Sequence, residues 1–501
     1  MTPTNGAAPP RTYGNWRRPV TAGILGLGRA GTYTLLVGLL VTVLLTIVGS
    51  LLVGLGFFIV LAAVLAAVVS KDRHHRSLVT RVSERLAWLR SRSTGANLYR
   101  SGALARAGFG SGQLPGLAAQ SSLTEYLDSY GSPFAVVEIP STGDFTIVIE
   151  TSPDGSSLVD QEQVDVWVAE WGQWLASLGD EPGVVGAAVT IETAPDTGAR
   201  LRTEVEHRID PDAPVFARRM LEEVVASYPI GSATVKAYVS ITFSAVQRGG
   251  RRRPVADFGL EIATRLRGLT QRLSATGAGA ARPLGAQELC EVIRIAYDPA
   301  AAVLIDEARA AGETAALRWS DVGPSGAQAD WDSYRHDTAL SVTWQMTGAP
   351  RGIVQSSVLT RLLAPHRDIA RKRVTWLYRP IDAGRAAGIV ESDLRAATFN
   401  LSGGTRPTAR TVLGTRAALS AAQEEAAGAG LVNFGALVTA TVTDVTKEAD
   451  ARAAIANLAA TARLQLRVVT GAQDSAFAAG LPLGLVLPRH LSGPVALREG
   501  R

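Results

Sequence analysis

Cysteine and lysine are scarce in this 501-residue chain, which contains one cysteine, Cys290, and four lysines. A single cysteine cannot form an intrachain disulfide, and this agrees with a reducing compartment. A phosphate-binding loop of the form G-x-x-x-x-G-K-[ST] needs a lysine directly after a glycine. None of the lysines follows a glycine: Lys71, Lys236, Lys372 and Lys447. The sequence therefore excludes a disulfide-built domain and a P-loop nucleotide site.

Other catalytic and metal-binding patterns are also missing. The six histidines are scattered and form no H-x-x-x-H pair, whereas zinc sites need clustered Cys and His. No G-x-S-x-G motif of a serine hydrolase occurs. Adjacent acids such as Glu222 and Glu223 do not face one another on a helix. We therefore expect no catalytic residue, no metal site and no cofactor, and we interpret the chain as a non-enzyme rather than a membrane-anchored enzyme.

Charge is absent from Ala30 to Ser70, a run of 41 residues. As one helix this run would be about 60 Å long, twice the roughly 30 Å of a bilayer core. Two spans near 32–49 and 52–70 fit, with Gly49 and Ser50 at the turn. The run is several times too long for the apolar part of a signal peptide. The sequence predicts a two-span transmembrane helical hairpin.

Positive charge is concentrated around this run. Residues 1–110 hold 13 Lys or Arg and two acids, and residues 111–501 carry an excess of acids. Basic flanks stay in the cytoplasm, so a hairpin with two basic flanks predicts a multi-pass protein of the cytoplasmic (inner) membrane with both termini inside. Basic segments beside a span also attract anionic lipid. We therefore expect a phospholipid partner and no sequence-specific nucleic-acid binding.

An amphipathic helix is predicted over 77–92, after the hairpin. Its apolar stripe is Leu78, Val82, Leu86 and Leu89. Its second face carries the expected membrane-interface residues, Arg81, Arg85, Trp88 and Arg92. Packing of this helix on the following domain is an equally good interpretation of the pattern.

The rest of the chain has the pattern of an α+β domain. Strand patterns at 133–140, 144–151 and 233–245 alternate with helical patterns such as 160–178. We expect mixed or antiparallel sheets with helices on one face. Strand–helix–strand order recurs after residue 338, which raises the hypothesis of two similar halves. The predicted segments are a cytoplasmic tail (1–30), the hairpin (31–70), a basic helix and linker (71–115), two α+β units (116–335 and 336–485) and a tail (486–501).

Several strings resemble components of type IV secretion systems. The entry RTYGNWRRP, the hairpin and the basic exit resemble the small two-helix inner-membrane subunit. Residues 374–393, 431–458 and 470–484 resemble the N-terminal, non-catalytic domain of the VirB-type conjugation ATPase. A similar Gln-x-x-Ala-Phe…Leu-Pro string closes that domain ahead of its motor, which this sequence lacks. The matching residues here are Gln473, Ala476, Phe477, Leu481 and Pro482.

The resemblance implies a function for the whole chain. It implies a membrane protein of an actinobacterial conjugative element that anchors a separate motor ATPase and oligomerises within a larger membrane complex. The alternative is a type VII secretion membrane component, whose E-type subunit also has two N-terminal spans and a cytoplasmic α+β domain.

A docking surface for that ATPase is predicted within 366–385, because arginine and aromatic residues are typical interface anchors. The candidates are Arg367, Arg371, Arg373, Trp376 and Tyr378. A core strand with basic ends is the alternative interpretation of the same stretch.

Overall fold

The computed structural model divides the chain into two compact units. The sheet unit comprises Met1–Gly14, Asn97–Ala387 and Glu424–His490, and the helical unit comprises Asn15–Ala96, Gly388–Gln423 and Leu491–Arg501. The structure describes residues 11–14, 16, 28–70, 72, 76–102, 105, 114–153, 155, 158–210, 212–227, 233–246, 252–350, 352–402 and 408–491. Most of the two predicted tails (1–30 and 486–501) and part of the predicted segment 71–115 therefore lie outside the described residues.

The helical unit begins with two apolar helices, α1 (Gly28–Val48) and α2 (Leu51–Val69). Ser50 caps α2 by accepting a bond from the backbone N–H of Val53, so the turn lies where the sequence predicts it. By length and composition, one helix segment among the described residues, Gly31–Val48, can cross a membrane. The apolar segment of α2 is shorter, Leu51–Ala67.

The two apolar helices approach each other closely at Gly38. A Cβ at this position would lie 2.5 Å from Cδ1 of Leu61, which is one of the few buried side chains of α2. Any residue with a Cβ would clash with Leu61 here, so glycine lets the two helices pack this closely. Small residues play the same part where helices pack in membranes. The amphipathic helix α3 (Leu78–Thr94) follows, capped by Ser77 and ended by Gly95 in the left-handed conformation.

Thirteen strands in the described part of the sheet unit form one sheet, and every pair is antiparallel. Its order is β1-β8-β9-β10-β12-β11-β5-β6-β4-β3-β2, with β13 beside β10 and β7 beside β4. The strands are β1 (Leu98–Arg100), β2 (Ser122–Leu127), β3 (Pro133–Ile139), β4 (Asp144–Ser152), β5 (Val184–Pro195), β6 (Ala233–Ser244), β7 (Ala280–Pro283), β8 (Gly326–Ala329), β9 (Tyr334–His336), β10 (Ala339–Gly348), β11 (Arg371–Pro380), β12 (Val432–Val442) and β13 (Gln465–Val468).

Eleven further helices complete the described chain. They are α4 (Gln161–Asp180), α5 (Ala199–Arg208), α6 (Val215–Ser227), α7 (Val255–Leu273), α8 (Ala286–Tyr297), α9 (Ala301–Ala310), α10 (Thr360–Leu363), α11 (Ala383–Ser402), α12 (Ala409–Ala426), α13 (Glu448–Thr461) and α14 (Gln473–Ala479).

Helices cover both faces of the sheet, so the expectation of helices on one face is wrong. On one face, α4 and α7 pack against side chains such as Phe145 and Ile147. On the other face, α8 and α14 pack against strand residues whose side chains point the opposite way, such as Val137 and Val148. Successive residues of a strand point to opposite faces. Consecutive apolar residues, as in β3, are therefore buried on both sides.

The two halves of the sheet repeat one topology. The order strand, strand, helix, strand, two helices, strand, helix, strand, helix runs from β3 to α8 and again from β9 to α14. The strands are arranged β3-β4-β6-β5 in the first half and β9-β10-β12-β11 in the second. A threonine pair bridges equivalent strands at 3.0 Å in each half, Thr146 with Thr242 and Thr343 with Thr439.

The two halves meet where β5 pairs with β11. The predicted boundary between residues 335 and 336 falls within β9, and strands on both sides of it hydrogen bond in the same sheet. The two halves are therefore similar in topology. They are not separate units, because the edge strand of each half, β5 or β11, is hydrogen bonded to the edge strand of the other.

Candidate functional site

The apolar helices α1 and α2 expose most of their side chains. Leu40, Ile47 and Leu52 are exposed by 63%, 78% and 79%. Contiguous exposed apolar surface of this kind marks a membrane or protein contact. This surface is the first candidate functional region of the chain.

Helix α3 brings three of the four predicted interface residues together. The Trp88 side chain is buried between two guanidinium groups, with Arg85 at 4.9 Å and Arg92 at 5.4 Å from the ring centroid. Arg81 is exposed one turn before Arg85. An ion pair between Arg76, just before α3, and Glu84 within α3 fixes the start of the helix.

The apolar stripe of α3 is exposed rather than packed. Val82 and Leu86 are exposed by 58% and 60%, and Leu78 and Leu89 also remain exposed. Helix α3 thus presents leucine and valine beside arginine on a solvent-facing surface. This arrangement is typical of a helix that lies in a membrane interface.

The predicted docking residues lie in the interior of the sheet. Strand β11 is hydrogen bonded on both edges, to β12 and β5. Arg371 and Arg373 are buried and both form ion pairs with Glu192 of β5. Two buried, paired guanidinium groups cannot anchor a partner, so the docking assignment is wrong for Arg371 and Arg373.

The remaining docking candidates have separate positions. Trp376 packs against the core on the α13 side of the sheet. The Tyr378 ring meets Trp171 of α4 edge to face, with centroids 5.9 Å apart. Arg367 is exposed in the loop before β11, with Asp368 at 3.6 Å. Arg367 alone of the five is placed to meet a partner.

The Glu192 cluster joins the two halves of the sheet. Burial alone would raise the pKa of the Glu192 carboxyl, but Arg371 and Arg373 outweigh it and lower the pKa to about 2. The carboxylate is therefore ionised and balances the two guanidinium groups. Sequence reasoning missed Glu192, because its partners lie about 180 residues away in the chain.

A cavity of about 390 Å³ opens beside this cluster. Its charged lining residues are Glu192, Asp196, Lys236, Asp306, Arg309 and Arg371. Burial raises the pKa of the Tyr238 hydroxyl, which also lines the cavity, so this hydroxyl stays protonated. Among the described residues, no group of three or more His, Cys, Asp or Glu is arranged to hold a metal ion.

The segment 473–489 crosses the sheet from the second half to the first. The Gln473 amide bonds both backbone groups of Thr343 in β10, at 2.9 and 3.1 Å. Further along, the carbonyl oxygen of Gly480 accepts a 2.8 Å bond from Thr375 in β11. The carbonyl oxygen of Gly484 accepts another from Thr242 in β6. We call residues 473–489 the closing segment.

The closing segment fits the sheet at two further points. Gly484 has a φ of +66°, and a Cβ there would overlap the Thr242 hydroxyl. The Arg489 guanidinium donates to Asp144 at the start of β4, at 3.0 Å. The residues that carry the resemblance, such as Gln473 and Phe477, are therefore core residues that join both halves.

Phe477 lies in a buried aromatic cluster with Tyr297, Tyr334 and His336. Nδ1–H of His336 donates to the Tyr297 carbonyl oxygen at 2.5 Å, and Nε2 accepts from the Ser341 hydroxyl at 2.8 Å. Burial lowers the pKa of His336 to about 4. The neutral ring is thus part of the core at physiological pH.

Comparison with known proteins identifies one related segment. A family model described as a domain of unknown function (DUF8461) matches residues 20–80. The match covers both apolar helices and ends at the start of α3, before the first strand of the sheet. No curated protein matches the chain.

Proposed function

We propose that the chain is a non-enzymatic inner-membrane scaffold of a conjugative type IV secretion-like apparatus, and that it docks a separate motor ATPase at the cytoplasmic face. The observation that carries the proposal is the pair of exposed apolar helices directly before an arginine-rich helix with an exposed apolar stripe. The resemblance of the closing segment to the conjugation ATPase supports the choice of apparatus.

In this proposal α1 and α2 both span the bilayer as a hairpin. Helix α2 has 19 residues and is therefore about 28 Å long, close to the roughly 30 Å of a bilayer core. The two-residue connection then lies near the outer surface. Basic residues on both flanks keep both ends inside.

Helix α3 lies in the inner membrane surface in this proposal. Its exposed leucine and valine side chains enter the acyl boundary, and Arg81, Arg85 and Arg92 contact anionic headgroups. The sheet unit then carries the surface for the ATPase. Arg367, which lies on an exposed loop, belongs to that surface.

Cysteine labelling in intact cells tests the topology. In a Cys290→Ala background, Ser50→Cys should react with an impermeant maleimide from outside. Pro10→Cys and Ala300→Cys should react only after lysis. Labelling of position 10 or 300 from outside would contradict the hairpin.

Vesicle binding tests the role of α3. A chain without residues 1–70 should bind vesicles containing anionic lipid, and binding should weaken as salt screens exposed charge. Arg85→Gln should reduce binding severalfold, whereas Arg90→Gln, which removes the same charge elsewhere on the helix, should change it little. Binding that is insensitive to salt would refute this role.

Co-purification tests the scaffold itself. The full chain in detergent should retain the motor ATPase encoded beside it, and Arg367→Glu should weaken that complex. ATP turnover by the purified chain, or failure to retain the folded ATPase, would refute the proposed function.

A further inference from the structure

The outward face of α6 is apolar and unpaired. Phe216, Met220 and Val224 recur every four residues and are exposed by 75%, 52% and 44%. None of the described side chains of α6 is buried. Residues spaced by four share one side of a helix, so these three form a continuous apolar stripe on the sheet unit.

Two opposite charges border this stripe on the same edge. Arg219 and Glu223 are one helical turn apart and both are exposed, and no ion pair joins either of them to another of the described residues. Arginine placed four residues before an acid is the weaker order for pairing within one helix. The two charges are therefore available to a second surface.

The arrangement is self-complementary. In an antiparallel helix pair with two-fold symmetry, equivalent edges of the two helices face each other. Arg219 of one copy then lies beside Glu223 of the other, twice over, while Phe216 faces Val224 and Met220 lies near the axis. We propose that α6 pairs with α6 of a second copy, so that the chain self-associates through this helix.

A second copy fits this face better than an unrelated partner. Along this edge of the stripe, Arg219 precedes Met220 and Glu223 follows it, so the two ends of the stripe carry opposite charge. This order is what an isologous contact requires, because each residue must suit its symmetry mate. A lipid surface would favour arginine on both edges of the stripe, and an acid borders it here.

The contact is small, because α6 has 13 residues and is about 20 Å long. Its area falls below the roughly 1,200 Å² of a stable interface. Attachment of each copy to one membrane would raise the effective concentration and compensate. The pairing itself rests on α6 alone; only its strength rests on the proposed membrane anchor.

Disulfide formation in membranes tests the contact. In the full chain with Cys290→Ala, Met220→Cys should give a linked dimer on mild oxidation. Glu222→Cys, on the opposite side of α6 and also exposed, should give at least tenfold less. Linkage of Met220→Cys to a different protein, or protection of this cysteine by lipid, would overturn the proposal.

Charge exchange gives a sharper test. In the Met220→Cys chain, Arg219→Glu and Glu223→Arg should each reduce linkage about tenfold, because each places like charges together. Coexpression of the two variants should restore linkage between them, since both ion pairs re-form with exchanged partners. Undiminished linkage in either single variant, or no recovery in the mixture, would overturn the proposal. Release of the chain by carbonate extraction would instead refute the membrane anchor.

Discussion

The two halves of the sheet unit share a topology but differ in what connects their strands. Between β5 and β6 the chain forms helices of 10 and 13 residues, whereas between β11 and β12 it forms helices of 20 and 18. The first half covers its sheet with the 20-residue α4, and the second has the four-residue α10 at the equivalent point. Strand order is thus retained while the connections vary, and the surfaces with functional candidates lie in the connections.

Stability should be most sensitive to substitution where β5 pairs with β11 and Glu192 meets Arg371 and Arg373. Glu192→Gln leaves Arg371 and Arg373 buried without a counter-charge, and we expect it to lower the free energy of unfolding by about 4 kcal/mol. Denaturant unfolding of the full chain in detergent measures this loss. The matched control replaces all three residues with Met and should cost much less. If the control and the single variant lose the same free energy of unfolding, packing and not charge balance stabilises the contact of β5 with β11.

The closing segment should be next in effect. Gly484→Ala adds a Cβ at a positive φ and against Thr242, and we expect a loss of about 3 kcal/mol. Gly131 also has a positive φ, but open space surrounds it. Gly131→Ala should therefore cost only the backbone part, about 1 kcal/mol. If both variants lose the same stability, the fit of Gly484 against the first half is unimportant.

Acid should destabilise the second half through His336. Its pKa is about 4 in the folded chain, below the usual 6.5, so the unfolded chain binds the proton more readily. Stability should be intact above pH 6.5 and fall by about 2 kcal/mol by pH 5. Thermal unfolding from pH 7 to pH 5 measures this. His336→Gln should lower stability at pH 7 but remove most of this slope; an unchanged slope would assign it to other groups.

The threonine pairs should show the smallest difference between the halves. Thr242 bonds both Thr146 and the closing segment, whereas Thr439 bonds Thr343 alone among the described residues. Thr242→Val should therefore cost about 1.5 kcal/mol and Thr439→Val about 1 kcal/mol. The comparison uses the same denaturant assay. An equal or larger loss at Thr439 would show that the bond of Thr242 to the closing segment adds no stability.

Much of this architecture could be predicted from the sequence, and the limits have physical reasons. The charge-free run located both helices and their turn, and alternation or continuous apolar runs located β3, β4, β6 and β12. The short strands β8 and β9 have too few residues for a period. The run of apolar residues in β3 did not show whether helices cover one face of the sheet or both.

The candidate sites were harder to predict, because they depend on contacts between residues that are far apart in the sequence. Arginines beside aromatic residues in β11 resemble an exposed interface until Glu192 is placed next to them by the pairing of β5 with β11. Arg85, Trp88 and Arg92 of α3 were predicted together because they lie within two turns of one helix. The exposed face of α6 needed the structure, which shows Ala217, Arg218 and Val225 partly covered and the stripe of Phe216, Met220 and Val224 exposed.

The closing segment follows β6 by more than 200 residues, and this order has a consequence for biosynthesis. Strands β4 and β6 of the first half leave the ribosome well before residues 473–489, whose Leu481, Leu483 and Leu485 share a core cluster with Val148 and Tyr238 of these strands. At about 5–20 residues per second, the interval from β6 to this segment is on the order of tens of seconds. During that time the nascent chain holds an incomplete sheet with an uncovered surface, and in the proposed membrane protein this sheet would mature beside the bilayer.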